Sequence, residues 1–481
     1  MASRHTFYGL LFVAVAAAGC DWADRIRSYP DSYPAPRPLG TDVPVAPVRA
    51  DRGSADASGP ASGRPAAEPD APDVPTGNLT LRRALALALA RNPDLAAFSW
   101  SVRMAEAEQL QAGLLPNPEL EAEFEDFAGP GDLHRSDSLE TTIVLSQLVE
   151  LGGKREKRVA LASAERRLAG WDYEARRIEV LTAVAERFVD VLAAQKKTDL
   201  ARETLDLART VLETAHKRVA AGETPPTEET KARIEVASGE LAVKRAGRDL
   251  RVARQRLSAM WGGTAPRFDR AVGDLETVGP VPPHEALAPL AARHPEVARW
   301  DDELARHAAA ADLAKAGAVP DVTVGVGYRH YKESHDDAML AAVSVPLPLY
   351  DRNQGAIGKT RFALAKARHE RRAAETRVRT ELAEAYQALA AAGEEVAALR
   401  ERILPAADAA FKASQRSFQR GKTGYLDVLD AERTLADLKG TYLEALASYH
   451  RARADVEGLI GQSLDAPVEP KPDTKEAADE R

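Results

Sequence analysis

Two groups of acidic side chains have a spacing that gathers their charges on one surface. After Pro118, four glutamates alternate with apolar residues such as Leu120 and Phe124. The four are Glu119, Glu121, Glu123 and Glu125. Alternation with period two predicts a β-strand with one acidic and one apolar face. Asp427 and Asp430 lie three residues apart, so on a helix they face the same side. Carboxylates gathered in either way would attract cations.

Further polar residues surround a predicted hairpin tip and offer metal-ligand types. They form the runs Tyr328-Arg329-His330 and His335-Asp336-Asp337. Ligands from two strands would spread into solvent there, and no cysteine is near, so we predict no bound metal. No Ser-His-Asp arrangement, phosphate loop or dinucleotide fingerprint stands out in the chain. We therefore predict no catalytic residues, no cofactor and no enzymatic activity.

The single cysteine, Cys20, follows an apolar run from Leu10 to Ala18. This arrangement resembles a bacterial lipoprotein signal, in which residues 1–19 are a signal peptide and Cys20 is the lipidated first residue of the mature chain. An ordinary secretory signal with an incidental Cys20 is the alternative. Asp21 resembles an inner-membrane retention signal of enteric bacteria, a rule that varies between bacteria, so the prediction remains a lipid-anchored protein of the outer membrane.

The composition favours long helices and excludes a basic nucleic-acid binder. The 481 residues include 65 basic and 73 acidic side chains, a net charge of −8, and only 5% aromatics. The apolar run near the N-terminus is shorter than the roughly 20 residues of a membrane-spanning helix, and no later segment comes closer. Residues 20–77 and 462–481, which lack periodicity, are predicted to be a disordered tether and a disordered tail.

The ordered remainder is an internal repeat of about two hundred residues. For example, ALARNPDLAAF near Asn92 returns as LAARHPEVARW near His294. We predict repeats over 78–262 and 286–461, joined by a linker over 263–285. Each contains a helix, a β-hairpin and two long helices with coiled-coil patterning. The hairpins are predicted at about 119–148 and 321–350, and the long helices at about 154–222, 227–260, 356–420 and 425–460. Pro405 predicts a kink or restart.

The predicted strands cannot form a membrane structure within one chain. Each is close to the ten residues that span a bilayer at a tilt. In lipid every backbone N–H and C=O needs a partner, so four strands with open edges must be pooled by several chains into one barrel. If Leu120 and Phe124 then face lipid, the four glutamates line the lumen, because the reverse costs a few kcal/mol for each buried charge. The alternative is two exposed hairpins on a soluble helical rod.

The duplicated plan and three motifs resemble the TolC-type outer membrane efflux proteins from about residue 79 to 461. The motifs are SQLVELGGKREKR from Ser146, VPLPLYDRNQGAIGK from Val345 and GKTGYLDVLDAERTL from Gly421. The Gly-Gly-Lys-Arg and Asp-Arg-Asn-Gln-Gly segments are most similar to the outer membrane components of cobalt-zinc-cadmium resistance pumps. Because both segments lie where a strand meets a helix, they can instead report packing.

The resemblance implies a mainly α fold with a membrane β-barrel part. Three chains would form a homotrimer whose twelve strands make a barrel continuous with a periplasmic α-helical barrel. Its partners would be a periplasmic adaptor protein, an inner membrane transporter of the resistance-nodulation-division type, and outer membrane lipid. The residues themselves lead only to two or more chains around a common pore.

The resemblance also implies a gate. In that family the acidic pair matching Asp427 and Asp430 lines the constricted periplasmic entrance, where six carboxylates would converge in a trimer. The alternative is a solvated acidic face or the preference for acids at a helix N-terminus. The first repeat carries Pro225-Pro226 at this point, so no gate residue is predicted at Glu228 or Glu229.

We therefore predict the outer membrane channel of a tripartite efflux pump, a passive duct that exports heavy-metal cations from the periplasm or the pump. Three alternatives remain. The duct could carry drugs or secreted proteins, or the chain could be a periplasmic adaptor or a coiled-coil spacer. Adaptors carry one helical hairpin within lipoyl-like and barrel domains, whereas this chain carries two copies with strands at the opposite end.

Overall fold

The computed structural model describes residues 76–126, 139–420 and 422–465. In chain order, the N-terminal half contains β1 (Asn78–Thr80), α1 (Leu81–Arg91), α2 (Pro93–Ala112), β2 (Glu119–Glu125), β3 (Glu140–Val149), α3 (Lys154–Ala220) and α4 (Pro226–Ala259). The C-terminal half contains β4 (Arg270–Val272), α5 (His284–Ala291), α6 (Pro295–Ala298), α7 (Trp300–Ala316), β5 (Val322–Tyr331), β6 (Asp336–Ser344), α8 (Gln354–Ala398), α9 (Leu404–Gln419) and α10 (Tyr425–Ile460). Cys20, the predicted signal peptide, nearly all of the predicted tether and residues 466–481 lie outside the described residues.

The repeated Asn-Pro and His-Pro segments start equivalent helices. Asn92 precedes Pro93, and its Oδ1 accepts hydrogen bonds from the N–H groups of Asp94 and Leu95 at 2.9 and 3.0 Å. His294 precedes Pro295 in the same way, and its Nδ1 accepts from the Glu296 N–H at 3.3 Å. Proline is favoured in the first turn because it has no N–H to leave unsatisfied there. This part of the sequence repeat is therefore a helix-capping motif that occurs once in each half.

The 67-residue helix α3 organises the bundle. Toward its N-terminal end it packs between α2 and α7, and α8 packs on the far side of α7. Toward its C-terminal end it packs between α4 and α10, and α9 packs on the far side of α10. Its residues Val184, Phe188 and Val191, spaced by four and three, are buried as their spacing predicts.

The segment between the two halves packs across the middle of the bundle. Gln195 of α3 exchanges two hydrogen bonds with the backbone of Ala271, at 2.8 and 2.9 Å. The Tyr449 hydroxyl of α10 donates to the Gly279 carbonyl at 2.9 Å. Strand β4 also pairs in parallel with β1, which joins the segment to the start of the ordered chain. These contacts fix the linker to both halves.

The second half differs from the first by a break in its long helix. Residues Leu399–Ile403 form a π turn between α8 and α9. The Leu404 N–H bonds to the carbonyl of Leu399, five residues earlier. Pro405 has no N–H and cannot continue the α-helical ladder, which explains why the register changes there. This is the interruption predicted at Pro405.

The two hairpins form one antiparallel sheet in the order β2-β3-β5-β6. The central pair, β3 with β5, joins the halves of the chain, as in the register Leu145 opposite Val326. Strands β2 and β6 are the edges, and each has one pairing partner within the described chain. Among the described residues, none of the helices has the length and apolarity that crossing a bilayer requires.

Candidate functional site

The four-stranded sheet separates apolar from polar side chains. Residues directly opposite one another in neighbouring strands share a face. One row runs from Leu120 through Leu145 and Val326 to Ala341, and the adjacent row runs from Glu121 through Val144 and Gly327 to Leu340. All four predicted glutamates therefore share the face that also carries Thr142, Ser146, Gly325, Gly327 and Arg329. We call these the apolar face and the polar face.

The apolar face is exposed in the single chain. The exposed fractions of Leu120, Met339 and Val343 are 65%, 74% and 72%, and Phe124, Ile143 and Val326 are also exposed. A water-soluble protein rarely leaves a contiguous apolar surface of this kind uncovered. Contact with lipid would cover it, and the unpaired edges of β2 and β6 would then need partners because lipid offers no hydrogen bonds.

The predicted polar cluster at the hairpin tip divides between the two faces. Asp337 on the apolar face accepts a hydrogen bond from the Tyr328 hydroxyl, and its Oδ1 lies 2.9 Å from Nδ1 of His330. Arg329 and Asp336 lie on the polar face. In the described part of the chain, no group of three or more His, Cys, Asp or Glu side chains is placed to hold a metal ion.

The two motifs at the strand-helix junctions make structural contacts. Gly152 and Gly153 adopt φ of 69° and 68°, which allows the tight turn from β3 into α3. Just beyond them, Lys154 Nζ lies 2.7 Å from Oδ1 of Asp321, which also accepts from the Leu151 N–H at 2.9 Å. In the second copy, Asn353 Nδ2 donates to the Ala314 carbonyl at 2.7 Å. The packing interpretation of these motifs therefore has direct support.

At the far end of the bundle, the α3–α4 and α9–α10 hairpin tips pack against each other. Ala215, Ala232 and Leu429 form a small buried cluster, and Phe418 packs on it. The Arg218 guanidinium stacks on the Phe418 ring at 4.6 Å from its centre. Beside these residues is a cavity of about 420 Å³ between α3, α9 and α10.

Asp427 and Asp430 are both exposed on the first turns of α10. Asp427 Oδ2 accepts a hydrogen bond from the Gly424 N–H at 3.2 Å. This hydrogen bond is consistent with the alternative to a gate that the sequence analysis gave, the preference for acidic residues at a helix N-terminus. The two roles are compatible, because one carboxylate oxygen remains for a cation. The structure thus places the pair together at the bundle end opposite the sheet.

Glu432, which the sequence analysis missed, is a buried carboxyl two residues beyond Asp430. Its exposed fraction is 7%, and it lies one helical turn from Val428, which lines the cavity. Burial raises the pKa of Glu432 to about 7. The signal was present in the sequence, because Glu432 falls between Val428 and Leu435 at the four- and three-residue steps of an apolar stripe.

Replacing Glu432 with glutamine should stabilise the protein at pH 8 and change its stability little at pH 5. The folded-state pKa lies above the ordinary value of 4.5, so the wild type loses stability as pH rises from about 4.5 to 7. Glutamine does not titrate, and the expected gain at pH 8 is about 1–3 kcal/mol. Thermal unfolding of the detergent-purified protein at both pH values measures it.

Two controls isolate the contribution of Glu432. Burial and a hydrogen bond with Asp455 also raise the pKa of Glu186 to about 7, so only the difference between wild type and variant reports Glu432. Asp437→Asn removes an exposed carboxylate from the same helix and should show no comparable pH dependence. An equal gain at both pH values would contradict the assignment.

A sheet with an exposed apolar face and two open edges, continued by a long helical bundle, defines the subunit of an outer membrane channel. Sequence comparison identifies the kind of outer membrane channel. The chain belongs to the outer membrane efflux protein family, which matches residues 84–263 and 287–462. It is accordingly an outer membrane efflux channel that extends into the periplasm, a duct without catalytic activity.

Two curated relatives come from Cupriavidus metallidurans. The cobalt-zinc-cadmium resistance protein CzcC is 34% identical over 391 residues, which cover 81% of this chain and 92% of the relative. The nickel and cobalt resistance protein CnrC is 30% identical over 63% of this chain and 71% of the relative.

Solved structures share the fold at lower identity. CusC matches with a TM-score of 0.66 at 17% identity, covering 80% of this chain and 92% of that one. The outer membrane protein VceC from Vibrio cholerae matches with a TM-score of 0.65 at 17% identity, covering 80% and 97%.

Proposed function

We propose that three copies of this chain close their sheets into a twelve-stranded barrel and their helices into a periplasmic tunnel, a passive duct that exports heavy-metal cations. The observation that carries the proposal is the sheet, which has an exposed apolar face and a polar face and in which the outer edges of β2 and β6 lack a partner within the described chain. A closed ring of identical chains supplies each edge with a partner and turns every apolar face toward lipid.

The helical edges of the chain favour the same closure. Beside the sheet, α2 and α8 are the outer helices of the row, and both expose large apolar side chains. Trp100 and Met104 of α2 are 44% and 64% exposed, and Phe362 of α8 is 77% exposed. In a ring, α2 of one copy would pack against α8 of the next and bury these residues.

In this assembly the polar face lines the lumen. Glu119, Glu121, Glu123 and Glu125 then form an acidic conduit, since the reverse orientation would place their charges in hydrocarbon. Asp427 and Asp430 from three copies converge at the periplasmic entrance and form a cation-selective gate. Cys20 carries the lipid anchor in the outer membrane, and the barrel provides anchorage of its own.

The similarity to metal resistance proteins supports the proposed cargo, and the family resemblance supports the proposed partners. The similarity to CzcC and CnrC, named for cobalt, zinc, cadmium and nickel resistance, supports heavy-metal cations as substrates. A periplasmic adaptor and an inner membrane transporter of the resistance-nodulation-division type supply the remaining two parts of the pump. Nothing in the duct itself consumes energy, so the transporter drives export. A duct for drugs or secreted proteins is the alternative.

Deleting the gene should make the cell sensitive to one or more of zinc, cobalt, cadmium, nickel, copper and silver. Growth inhibition is measured for each ion and for a panel of antibiotics, and a plasmid copy of the wild-type gene is the control for restoration. We expect a decrease of about fivefold or more in the inhibitory concentration of the cargo ion. Sensitivity to antibiotics alone would favour the drug-duct alternative, and an unchanged profile would contradict metal export.

A further inference from the structure

Within the four strands, Arg329 is the one basic side chain on the polar face. Six carboxylates share that face. They are Glu119, Glu121, Glu123, Glu125, Glu140 and Asp336. A single positive charge among six carboxylates has a large effect on the local electrostatic field. The contacts of Arg329 indicate whether its role is electrostatic or structural.

Arg329 bridges three strands near the hairpin tips. Its Nε donates to Thr142 Oγ1 at 2.8 Å and its Nη1 donates to Glu140 Oε2 at 3.2 Å, both on β3. Its Nη2 lies 3.5 Å from Glu125 Oε2 on β2. The guanidinium is 27% exposed and Glu125 is 43% exposed, so the group is open to the polar side of the sheet. Two carboxylates thereby share one positive charge.

The side chains on the apolar face indicate the depth of Arg329 relative to the membrane. The rows from Tyr328 and Met339 toward the helices carry apolar side chains apart from Gln147, whereas the next row toward the tips carries His330 and Asp337 together with Phe124. Charged side chains are tolerated on a lipid-facing surface near the interface and are costly at the midplane. Along β5, Arg329 lies between Tyr328 of the last apolar row and His330 of the first polar row. It is therefore near the outer boundary of the membrane, at the exit of the proposed duct.

We infer that Arg329 sets the charge selectivity of the outer exit. This inference rests on the proposed duct. By neutralising part of the charge of Glu125 and Glu140, the guanidinium limits how strongly the exit retains cations. The glutamates deeper in the strand, Glu119 and Glu121, which form no ion pair with another described residue, then dominate the attraction of cations. A cation leaving the duct thus moves from a strongly acidic zone to a partly compensated one, which favours release.

The test compares Arg329→Gln, which removes the charge, with Arg329→Lys, which keeps it. Purified trimers are reconstituted in planar bilayers, and reversal potentials are measured under a KCl gradient. We expect Arg329→Gln to raise the cation-to-anion permeability ratio by about two- to threefold, with Arg329→Lys close to wild type. The shift should shrink when salt rises from about 0.1 to 1 M, because the screening length falls from about 10 to 3 Å.

Glu125→Gln tests the same idea with the opposite sign. It removes one partner of Arg329, so the permeability ratio should fall, and it provides a measurement if Arg329→Gln trimers do not assemble. An unchanged ratio in whichever of these two trimers assembles overturns the inference. Wild-type trimers that carry no current overturn the proposed duct instead. A purely structural role would lower the heat stability of the Arg329→Gln trimer and leave the reversal potential unchanged.

Discussion

Replacing Asp427 and Asp430 together with asparagine should raise the concentration of divalent cation needed to block single-channel current by about tenfold. In the proposed trimer six carboxylates converge at the periplasmic entrance, and their summed field concentrates divalent cations there. Asparagine removes the charge but keeps a side-chain oxygen. The hydrogen bond that Asp427 receives from the Gly424 N–H can therefore form in the variant as well.

Comparing asparagine with alanine at these two positions separates the effect on cation block from the effect on the stability of the α10 N-terminus. Alanine at both positions should weaken block equally, and should also destabilise the start of α10 by about 1 kcal/mol through loss of the cap. Glu228→Gln is the matched control, because Glu228 lies in the first turn of the equivalent helix α4, where no gate is predicted. Block that stays at the wild-type concentration in an assembled Asn variant would refute the gate.

Replacing Gly327 with alanine should greatly reduce the amount of trimer in the outer membrane. A Cβ atom at this position would lie 2.7 Å from the Ile143 carbonyl oxygen and 2.9 Å from a methyl group of Val144. The carbonyl belongs to the β3 backbone and cannot move without breaking the pairing of β3 with β5. The expected cost is about 1–3 kcal/mol per chain, and it is incurred three times in a trimer.

Heat-modifiable trimer in outer membrane fractions, quantified by gel electrophoresis, measures the effect. Gly170→Ala is the control, because a Cβ atom at Gly170 meets nothing within 4 Å and its helix α3 lies between α2 and α7, away from the proposed contact between copies. That variant should assemble at least as well as wild type, since alanine favours a helix by up to about 1 kcal/mol over glycine. Normal assembly of the Gly327 variant would show that the β3–β5 pair accommodates a Cβ atom at this position and would contradict the prediction.

The fold class could be predicted from the sequence because its signals are local. The alternation from Glu119 to Glu125 needs only period two, and the capped helix starts at Asn92 and His294 need only three neighbouring residues. The apolar steps at Val184, Phe188 and Val191 are likewise read within a few turns of one helix. Each of these patterns is a direct consequence of backbone geometry.

What the sequence could not supply depends on contacts between distant segments. The pairing of β3 with β5, about 180 residues apart in the chain, decides that Arg329 meets Glu140, and no local pattern contains that register. The apolar stripe from Val428 to Leu435 indicates that Glu432 is buried, but its place one turn from the cavity between α3, α9 and α10 depends on how these helices pack.

The long helix α3 and its interrupted counterpart, formed by α8 and α9, differ in stiffness. Helix α3 runs without a break for 67 residues, about 100 Å at 1.5 Å per residue, and resists bending along its whole length. Its counterpart changes register at Leu399–Ile403, where fewer ladder bonds oppose a bend. The more flexible joint of each subunit therefore lies between α8 and α9, which lead into α10 and its Asp427 and Asp430, whereas α3 is the stiffer of the two long helices.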